Sequence, residues 1–198
     1  MERKPLSRPY NCVQLILEDV PGGGVVAKSD FKTSSTVLKE GALLSADNNG
    51  IYHLTKTAKV WANAASGDTS LKIYKEHEFL AGNILINTAK TGVSRNILAI
   101  DQESSYSYDE LTLAGPLNVA LSTGAIVVEV SASGVSGPNV TLKYPPTTVG
   151  ISDNPVDLLK ANTGCGLLIR GRVNEELMPY PVDDTLKVLL PLIRFVST

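Results

Sequence analysis

The sequence is poor in the residues that usually mark a catalytic or redox centre. Its 198 residues include two cysteines, two histidines and one tryptophan, and aromatic residues make up only 6% of the chain. Cys12 and Cys165 lie far apart, and neither belongs to a C-x-x-C or Cys/His spacing, which excludes a recognisable zinc or thioredoxin-type motif. We therefore expect two free thiols in a reducing compartment rather than a disulfide.

Long hydrophobic runs and blocks of like charge are also missing. The longest apolar runs, such as VLLPLI, fall far short of the roughly 20 residues that a membrane-spanning helix needs. No apolar segment follows the charged start MERKPLSRPY, so we expect no signal peptide and a soluble protein that is kept inside a cell. With 18 basic and 20 acidic residues and no basic block, the chain has no electrostatic footprint for nucleic acid.

What the sequence does contain is the pattern of a turn-rich β protein. Hydrophobic residues make up 43% of the chain, and 16 glycines and 11 prolines supply turns. From Val37 onward, short apolar runs alternate with Gly, Asn, Asp, Pro and Ser clusters, and Asn49-Gly50 favours a tight hairpin. This spacing predicts a mainly β protein, a β-sandwich or barrel. The predicted strands are 37–45, 50–55, 58–62, 71–75, 83–87, 95–100, 108–113, 125–131, 139–144 and 165–174.

The two ends of the chain differ from this strand-rich middle. Residues 1–35 predict an extended N-terminal arm or linker with one strand in NCVQLILEDV, because PGGGVVAKSDFKTSST has the composition of turns and linkers. We expect a β-rich domain over 36–132 and a strand–helix–strand module over 133–198, packed on the same core. Two short helices are predicted, one in SDNPVDLLKANTG and one in PVDDTLKVLLP, where Asp183 or Asp184 is the N-cap; a last strand follows in LIRFVS.

One glycine pattern recurs along the chain. LKEGALL, FLAGNILI and LSTGAIVV contain Gly41, Gly82 and Gly124, at separations of 41 and 42 residues, and TGCGLLI contains a looser copy at Gly166. Because glycine adopts positive φ without a Cβ penalty, we predict that the same turn enters several β-hairpins of one barrel. A propeller has repeats of this length, but no Trp-Asp or kelch-type signature is present.

The two histidines do not belong to a recognisable metal or catalytic motif. The stretch H-E-F-L-A at His77 fails the H-E-x-x-H pattern, because Ala81 stands where the second zinc ligand belongs. We expect His77 to be a polar residue at a strand edge. His53 alternates with Tyr52 and Leu54, which predicts the exposed face of a strand.

Other candidate groups also lack the partners that chemistry would need. Cys165 has no local histidine and is expected to be a small buried residue. The adjacent carboxylates Glu175-Glu176 and Asp183-Asp184 diverge on a strand or helix, which makes them poor acid–base partners. The three glycines Gly22–Gly24 lack the Lys-Ser/Thr of a phosphate-binding loop and predict a flexible hinge. We therefore predict no catalytic, cofactor-binding or metal-binding residues and no cofactor.

An ordered string of motifs covers residues 36–198. The string contains VLKEGALLSADNNGIYHLTKTAKV, SLKIYKEHEFLAGNILI, RNILAIDQESSYSYDELTLAGPLNVALSTGAIVVEV and LLIRGRVNEELMPYPVDDTLKVLLPLIRFV. The second motif is similar to a K-x-H-x-F-x-x-G-D-x-I stretch, and the third to an I-D … Y-D-x-L-T … G-A-x-V continuation. In this order the motifs resemble the head-decoration, auxiliary capsid and head-fibre proteins of tailed phages. Asn83 departs from the pattern, which usually has Asp at that position.

This resemblance implies a non-enzymatic virion structural protein that binds the outer surface of a phage capsid. The implied partner is the major capsid protein. The resemblance also implies a homo-oligomer, whose number of subunits stays open. Many copies bind the capsid at once, so that modest contacts per copy give firm attachment. The implied location is the capsid surface of the virion, after assembly in the host cytoplasm. The resemblance implies no nucleic acid, membrane or small-molecule partner.

Two alternatives stay open. The first is a tail-fibre or baseplate module that binds carbohydrate, which would need exposed aromatic residues; Trp61 itself predicts a core or interface anchor. The second is a virion-associated hydrolase, which would need clustered carboxylates or a metal site.

Overall fold

A computed structural model describes residues 11–151, 156–158 and 162–197 of the chain. Of the described residues, 42% are strand and 7% are helical, so the structure is mainly β, as the spacing of the apolar runs predicts. The described strands are β1 (Val13–Asp19), β2 (Gly24–Val26), β3 (Val37–Leu38), β4 (Leu43–Ala46), β5 (Ile51–Leu54), β6 (Thr57–Lys59), β7 (Ser70–Tyr74), β8 (Ile84–Asn87), β9 (Arg95–Asp101), β10 (Tyr108–Leu113), β11 (Ile126–Glu129), β12 (Thr148–Ile151), β13 (Val156–Asp157), β14 (Thr163–Asn174) and β15 (Ile193–Val196). The helix α1 spans Asp184–Lys187, and 3-10 turns lie at Lys28–Asp30, Gly137–Asn139 and Glu175–Leu177.

The chain divides into two compact units, and the second is inserted into the sequence of the first. The first unit contains the described residues of Met1–Leu54 and Pro146–Thr198, and the second unit is Thr55–Pro145. This division differs from the predicted one, whose boundaries at 35/36 and 132/133 fall inside the two units.

The first unit is built around a closed barrel of five strands. β14 pairs with β12, β12 with β4, β4 with β5, and β5 with β2, which returns to the start of β14 and closes the ring. β14 is 12 residues long, and its second half continues past these pairings, antiparallel to β1 and parallel to β15. Closure leaves the ring strands without an open edge. The separate pair β3–β13 adds a two-stranded sheet.

The core of the first unit has two apolar clusters, and β14 contributes residues to both. Leu167 packs in the first cluster with Leu44 and Leu54 of the neighbouring barrel strands. Leu168 and Val173 pack in the second cluster, which includes residues from β1 and β15. Successive residues of a strand point to opposite faces, so one strand supplies both clusters.

The second unit is a six-stranded sheet in the order β6-β11-β8-β9-β10-β7, with every neighbouring pair antiparallel. An isolated bridge between Val60 and Ile73 connects the two outermost strands, β6 and β7. Phe79, which follows β7, is buried among the aliphatic residues of the interior. These are Ala58, Val60, Leu71, Ile73, Leu85, Ile97, Leu111, Leu113, Leu117, Leu121 and Val127.

The recurring glycine has the predicted geometry at three positions. Gly41, Gly82 and Gly124 have φ of 88°, 89° and 87°. In each case the residue after the glycine donates its N–H to the carbonyl two residues before it, which makes a β-turn with positive φ at its third residue, as in type II turns. β4, β8 and β11 each begin two residues after their glycine. The predicted turn is confirmed here.

Two details of the glycine prediction are wrong. Gly41 belongs to the first unit, whereas Gly82 and Gly124 belong to the second, so the three turns do not serve one barrel. Gly166 lies inside β14 without a positive φ, because the backbone there is already extended.

Most predicted strands are present within a residue or two, with three exceptions. The predicted strand 58–62 is shorter, because β6 ends at Lys59. The segment 37–45 is split into β3 and β4 by the Gly41 turn. The segment 139–144 is not a strand: a 3-10 turn ends at Asn139, and Leu142 forms an isolated bridge with Val130. Pro138 fixes φ and removes a backbone donor at this point, which favours a turn over a ladder.

The helix predictions have opposite outcomes. The helix in PVDDTLKVLLP is confirmed as α1, where Asp183 is the N-cap and accepts a hydrogen bond from the Leu186 N–H at 3.1 Å; β15 follows as predicted. The helix in SDNPVDLLKANTG is wrong where the structure describes it, since Val156–Asp157 forms β13. A β-branched residue opposite β3 there favours pairing over a helical turn. Residues 152–155 and 159–161 of that prediction lie outside the described residues.

Much of the predicted N-terminal arm belongs to the fold. The strand expected in NCVQLILEDV is confirmed as β1, and β2 joins the barrel. Gly22 and Gly23 form the turn between them with positive φ, and a Cβ on Gly23 would lie 2.3 Å from the Cys165 carbonyl oxygen. Residues 1–10 of the arm lie outside the described residues. In the part of the chain that is described, no helix has the length and apolar character to cross a membrane.

Candidate functional site

The second unit buries a polar network that joins two of the sequence motifs. Asp109 lies on β10 and is 2% exposed. Its Oδ1 accepts a hydrogen bond from Lys75 Nζ at 2.8 Å, and its Oδ2 lies 2.9 Å from His77 Nε2. Lys75 and His77 come from the K-x-H-x-F stretch, whereas Asp109 comes from the Y-D-x-L-T stretch. One carboxylate therefore connects the two stretches.

His77 uses both ring nitrogens in this network. Phe79 donates its backbone N–H to His77 Nδ1 at 3.0 Å, so the ring proton belongs on Nε2, which donates to Asp109. A histidine engaged in this way has no lone pair left for a metal ion or a substrate proton. The expectation of a strand-edge residue is wrong, because His77 is only 3% exposed and orients the chain between β7 and β8.

Asn83 completes the turn that leads into β8. Its Oδ1 accepts hydrogen bonds from the Leu80 backbone N–H at 2.8 Å and from Lys56 Nζ at 3.0 Å. Lys56 precedes β6 and is 2% exposed, which is rare for a lysine. Asn83 is the residue that departs from the K-x-H-x-F-x-x-G-D-x-I pattern, and it lies at a buried lysine.

A second buried carboxylate lies on β11, the strand between β6 and β8. Glu129 is 3% exposed, and its Oε1 accepts a hydrogen bond from Lys143 Nζ at 2.9 Å. Its backbone N–H donates to the Lys56 carbonyl at 3.0 Å, which extends the β6–β11 ladder by one step. Lys56 and Glu129 are therefore cross-strand neighbours.

An aromatic cluster covers the outer face of β7 and β10. The Trp61 ring lies 4.7 Å from the Tyr74 ring in an edge-to-face arrangement and is stacked on Tyr108 at 6.1 Å. Tyr74 and Tyr108 are direct partners in the β7–β10 ladder, and Lys72 Nζ lies 5.0 Å from the centre of the Tyr108 ring. The cluster places a tryptophan and two tyrosines at the surface, beside a cation.

A polar groove of about 470 Å³ adjoins this cluster. Glu110 lies opposite Lys72 in the ladder, and Ser70 Oγ donates a hydrogen bond to Glu110 Oε1. Such a groove offers both donors and acceptors beside an aromatic surface. The lining residues are Ala62, Asn63, Ala64, Gly67, Asp68, Thr69, Ser70, Lys72 and Glu110.

The two cysteines are free and buried in the first unit. Burial, with a smaller contribution from Glu40, raises the pKa of the Cys12 thiol to about 12. Burial also raises the pKa of the Cys165 thiol to about 11. Thiols with these values are protonated at neutral pH and are poor nucleophiles. The predictions of free thiols and of a small buried residue at position 165 are confirmed.

His53 is placed differently from the prediction. Its Nδ1 lies 2.8 Å from Asp30 Oδ2, and its Nε2 lies 3.6 Å from Asp47 Oδ2. The side chain is 14% exposed, so it is packed between two carboxylates rather than on an exposed face. Among the described residues there is no group of three or more His, Cys, Asp and Glu side chains that could hold a metal ion.

The adjacent carboxylates take separate structural roles. The hydrogen bond from Lys187 lowers the pKa of Glu175, and Ser197 Oγ donates to Glu175 Oε1. Asp183 caps α1, whereas the Asp184 side chain is 97% exposed. One carboxylate of each pair lies beside Lys187 Nζ, Glu175 Oε2 at 2.5 Å and Asp184 Oδ1 at 3.3 Å, so the two pairs meet at a lysine.

The sequence reasoning missed Lys56, Asn83, Asp109 and Glu129. The sequence feature that could have found Lys56 and Asp109 is strand alternation, in which every second residue points to the same face. Lys56 is in step with the buried Ala58 and Val60, and Asp109 is in step with the buried Leu111. A charged residue at a core position of an alternating pattern marks a buried network.

Comparison of the chain with protein-family models, with curated proteins and with solved structures found no match.

Proposed function

We propose that the protein is a non-enzymatic virion structural protein that binds the outer surface of a tailed-phage capsid, as an auxiliary, decoration or head-fibre protein. Its partner is the major capsid protein. The protein acts as a homo-oligomer in many copies on the assembled head, and it assembles there in the host cytoplasm.

The observation that supports this proposal is the way the motif residues meet in space. Lys75 and His77 of one motif bind Asp109 of another, and Phe79 supplies the N–H that orients His77. Gly82 then adopts the positive φ that enters β8. A chance match of weak turn and strand motifs has no reason to place its polar positions in one buried network. Residues from two of the four motifs therefore meet in one network within the second unit, which supports the proposal.

The second support is the character of the fold. Two β units with closed or bridged sheets expose few open strand edges, which suits a protein that is presented in many copies on a lattice. Multivalent attachment to an icosahedral shell makes firm binding from modest contacts per copy.

Binding to purified heads tests the proposal. The full chain is mixed with heads of the phage that encodes it, prepared without the protein, and the mixture is sedimented. We expect saturable co-sedimentation with heads at a fixed number of copies per particle, and none with isolated tails. Absence of head binding, or binding to tails alone, would contradict the proposal.

The aromatic cluster favours one second candidate, a carbohydrate-binding tail-fibre or baseplate module. The apolar faces of sugar rings pack on aromatic side chains, while their hydroxyl groups bond to polar groups at the rim. Trp61, Tyr74 and Tyr108 supply such a surface, and Lys72 and Glu110 lie beside it.

A glycan array separates the two candidates. If the second candidate holds, Trp61→Ala lowers binding to the recognised glycan by roughly tenfold or more, as for a central aromatic contact. Tyr106→Ala is the matched control, because Tyr106 is fully exposed and lies outside the cluster. No binding to any glycan removes this candidate and leaves the capsid proposal standing.

A further inference from the structure

Three arginines, which we call the arginine face, lie on one outward face of the first unit. Arg170 and Arg172 are two positions apart on β14, and Arg172 is the register partner of Arg194 on the parallel strand β15. Residues two apart on a strand share a face, and so do partners on neighbouring strands. All three side chains are exposed, whereas Val173 and Ile193, which alternate with them, are buried. The chain has six arginines, so half of them meet here.

The arginine face is not neutralised by its own unit. Within the part of the chain that is described, no carboxylate forms an ion pair with any of the three arginines, including Glu18, the register partner of Arg170 on β1. Neighbouring strands lie about 4.8 Å apart, so Arg172 and Arg194 hold like charges side by side. Like charges in this position destabilise a sheet. The arrangement therefore costs the folded chain free energy that no internal ion pair offsets.

The arginine face is flanked by exposed leucines. Leu15 of β1 is the register partner of Arg172, on the side away from β15, and its side chain is exposed. Leu192 immediately precedes β15, where its carbonyl accepts the Gly171 N–H at 3.3 Å, and its side chain is exposed as well. Arginine is enriched in protein–protein interfaces, where it lies among apolar contacts. The surface has this mixed character.

We propose that the arginine face is a docking surface for an acidic patch on a protein partner. A guanidinium binds a carboxylate through two parallel hydrogen bonds, and it is more weakly hydrated than an ammonium. Carboxylates of the partner remove the repulsion among the arginines, and Leu15 and Leu192 are buried in the same contact. This inference rests on the proposed function, in which the partner is the major capsid protein.

The surroundings of the arginine face favour a protein over a nucleic acid. The chain has a net charge of −2, and Glu18 lies on the strand beside Arg170, where it repels a phosphate backbone. Proteins that bind nucleic acid by its phosphates usually present a longer basic stripe. Carboxylates on a folded partner can be placed to meet three arginines and avoid Glu18, whereas phosphates follow one another in a continuous row.

Co-sedimentation with heads that lack the protein tests the proposal. Arg172→Glu reverses the central charge, and we expect the affinity for heads to fall at least about tenfold. Lys59→Glu is the matched control, because it makes the same charge change at an exposed strand position of the second unit; we expect an affinity within about twofold of the wild type. Equal affinities of the two variants would overturn the proposal and leave the proposed function standing.

The stability of the first unit separates a docking role from a structural one. Arg172→Glu places a carboxylate between Arg170 and Arg194, which replaces repulsion by attraction. We therefore expect the buried thiols to react no faster than in the wild type, although head binding is weaker. Arg194→Glu is the second variant and should give the same pair of results. Faster thiol reaction in both variants would show that the arginines support the fold, and would overturn the proposal.

Immobilised polyanions test the arginine face without heads. If the wild type does not bind heads, the proposed function fails, and elution from poly-L-glutamate with rising salt then decides about the face. We expect Lys59→Glu to elute at higher salt than Arg172→Glu, whereas equal elution would overturn the inference. Retention on duplex DNA at about 150 mM salt that is lost in Arg172→Glu and kept in Lys59→Glu would also overturn it, because the partner would then be a nucleic acid.

Discussion

The two units share a turn but differ in what they bury. Each has strands that follow a β-turn with a positive-φ glycine, Gly41 in the first unit and Gly82 and Gly124 in the second. The first unit buries both cysteines, and its long β14 connects two apolar clusters. The second unit buries charged groups: Lys56, His77, Asp109 and Glu129.

This difference shows two ways in which a sequence determines a fold: by apolar packing in the first unit and by specific polar contacts in the second. Apolar clusters tolerate many sequences of similar volume, whereas a buried charge must meet its particular partner. The motifs with polar residues at fixed spacing are most detailed in the second unit, around Lys75, His77 and Asp109. A pattern of polar residues at fixed spacing is therefore more informative about structure than an apolar run, because each polar group requires its own contact.

The chain carries a separate probe for each unit. Its one tryptophan, Trp61, lies in the second unit, so tryptophan fluorescence follows the unfolding of that unit. Both cysteines lie in the first unit and are buried, so their reaction with a thiol reagent follows its opening.

Removal of the Asp109 carboxylate should have the largest effect. Asp109→Ala leaves Lys75 and His77 without their shared acceptor, and we expect the second unit to lose about 3–5 kcal/mol of unfolding free energy. Urea unfolding followed by Trp61 fluorescence measures the loss. Glu110→Ala is the matched control on the solvent face of the same strand, with an expected change below about 1 kcal/mol. Equal losses in the two variants would contradict a special role for the buried network.

The turn glycines should differ between the units. A Cβ on Gly41 would lie 2.3 Å from Cys12 Sγ, whereas a Cβ on Gly82 or Gly124 would meet nothing within 4 Å. Gly41→Ala combines positive φ with a clash, and we expect a loss of about 3 kcal/mol or more and faster thiol reaction. Gly124→Ala has the positive φ alone and should cost about 1–2 kcal/mol.

Gly67→Ala is the control for both turn variants. Gly67 has no positive φ and its Cβ would also meet nothing within 4 Å, so we expect little change in either probe. If Gly41→Ala and Gly124→Ala cost the same, the contact between Gly41 and Cys12 has no energetic importance.

Alkaline pH should weaken the first unit. The folded-state pKa values of Cys12 and Cys165 are raised to about 12 and about 11, above the ordinary thiol value of about 8.5. The unfolded chain then loses thiol protons that the folded chain retains. The buried thiols therefore contribute to the unfolding free energy of the first unit. Their contribution is complete below about pH 8.5 and falls, by at most about 1.4 kcal/mol per pH unit per thiol, as the pH rises toward 11.

Thiol labelling in urea at pH 7 and pH 10 measures this effect. Cys12→Ala leaves Cys165 as the probe and should show a smaller alkaline loss. A loss of the same size in Cys12→Ala would assign the pH dependence to other groups.

Much of the fold could be predicted from the sequence, because strand spacing and turn chemistry are local. The hairpin at Asn49-Gly50, the positive φ at three glycines and the cap at Asp183 each depend on a few adjacent residues. The failures have non-local causes. Val156 forms a strand because β3 pairs with it, and the two-unit division arises because β14 returns to β2, about 140 residues away.

The candidate sites were less predictable for the same reason. The position of His77 depends on Asp109, which is 32 residues away, and Lys56 meets Asn83 across 27 residues. The alternation of residues along each strand does predict that Lys56 and Asp109 point to the core, but the partner of each is fixed only by the register of the sheet. The aromatic cluster likewise depends on the pairing of β7 with β10.

The most direct test of the proposed function is a cryo-EM map of the phage particle whose genome encodes the chain. We expect density for the two β units on the outside of the head, repeated at positions related by the icosahedral symmetry and in contact with the major capsid protein. Density confined to the tail or the baseplate, or a head surface without these units, would contradict it.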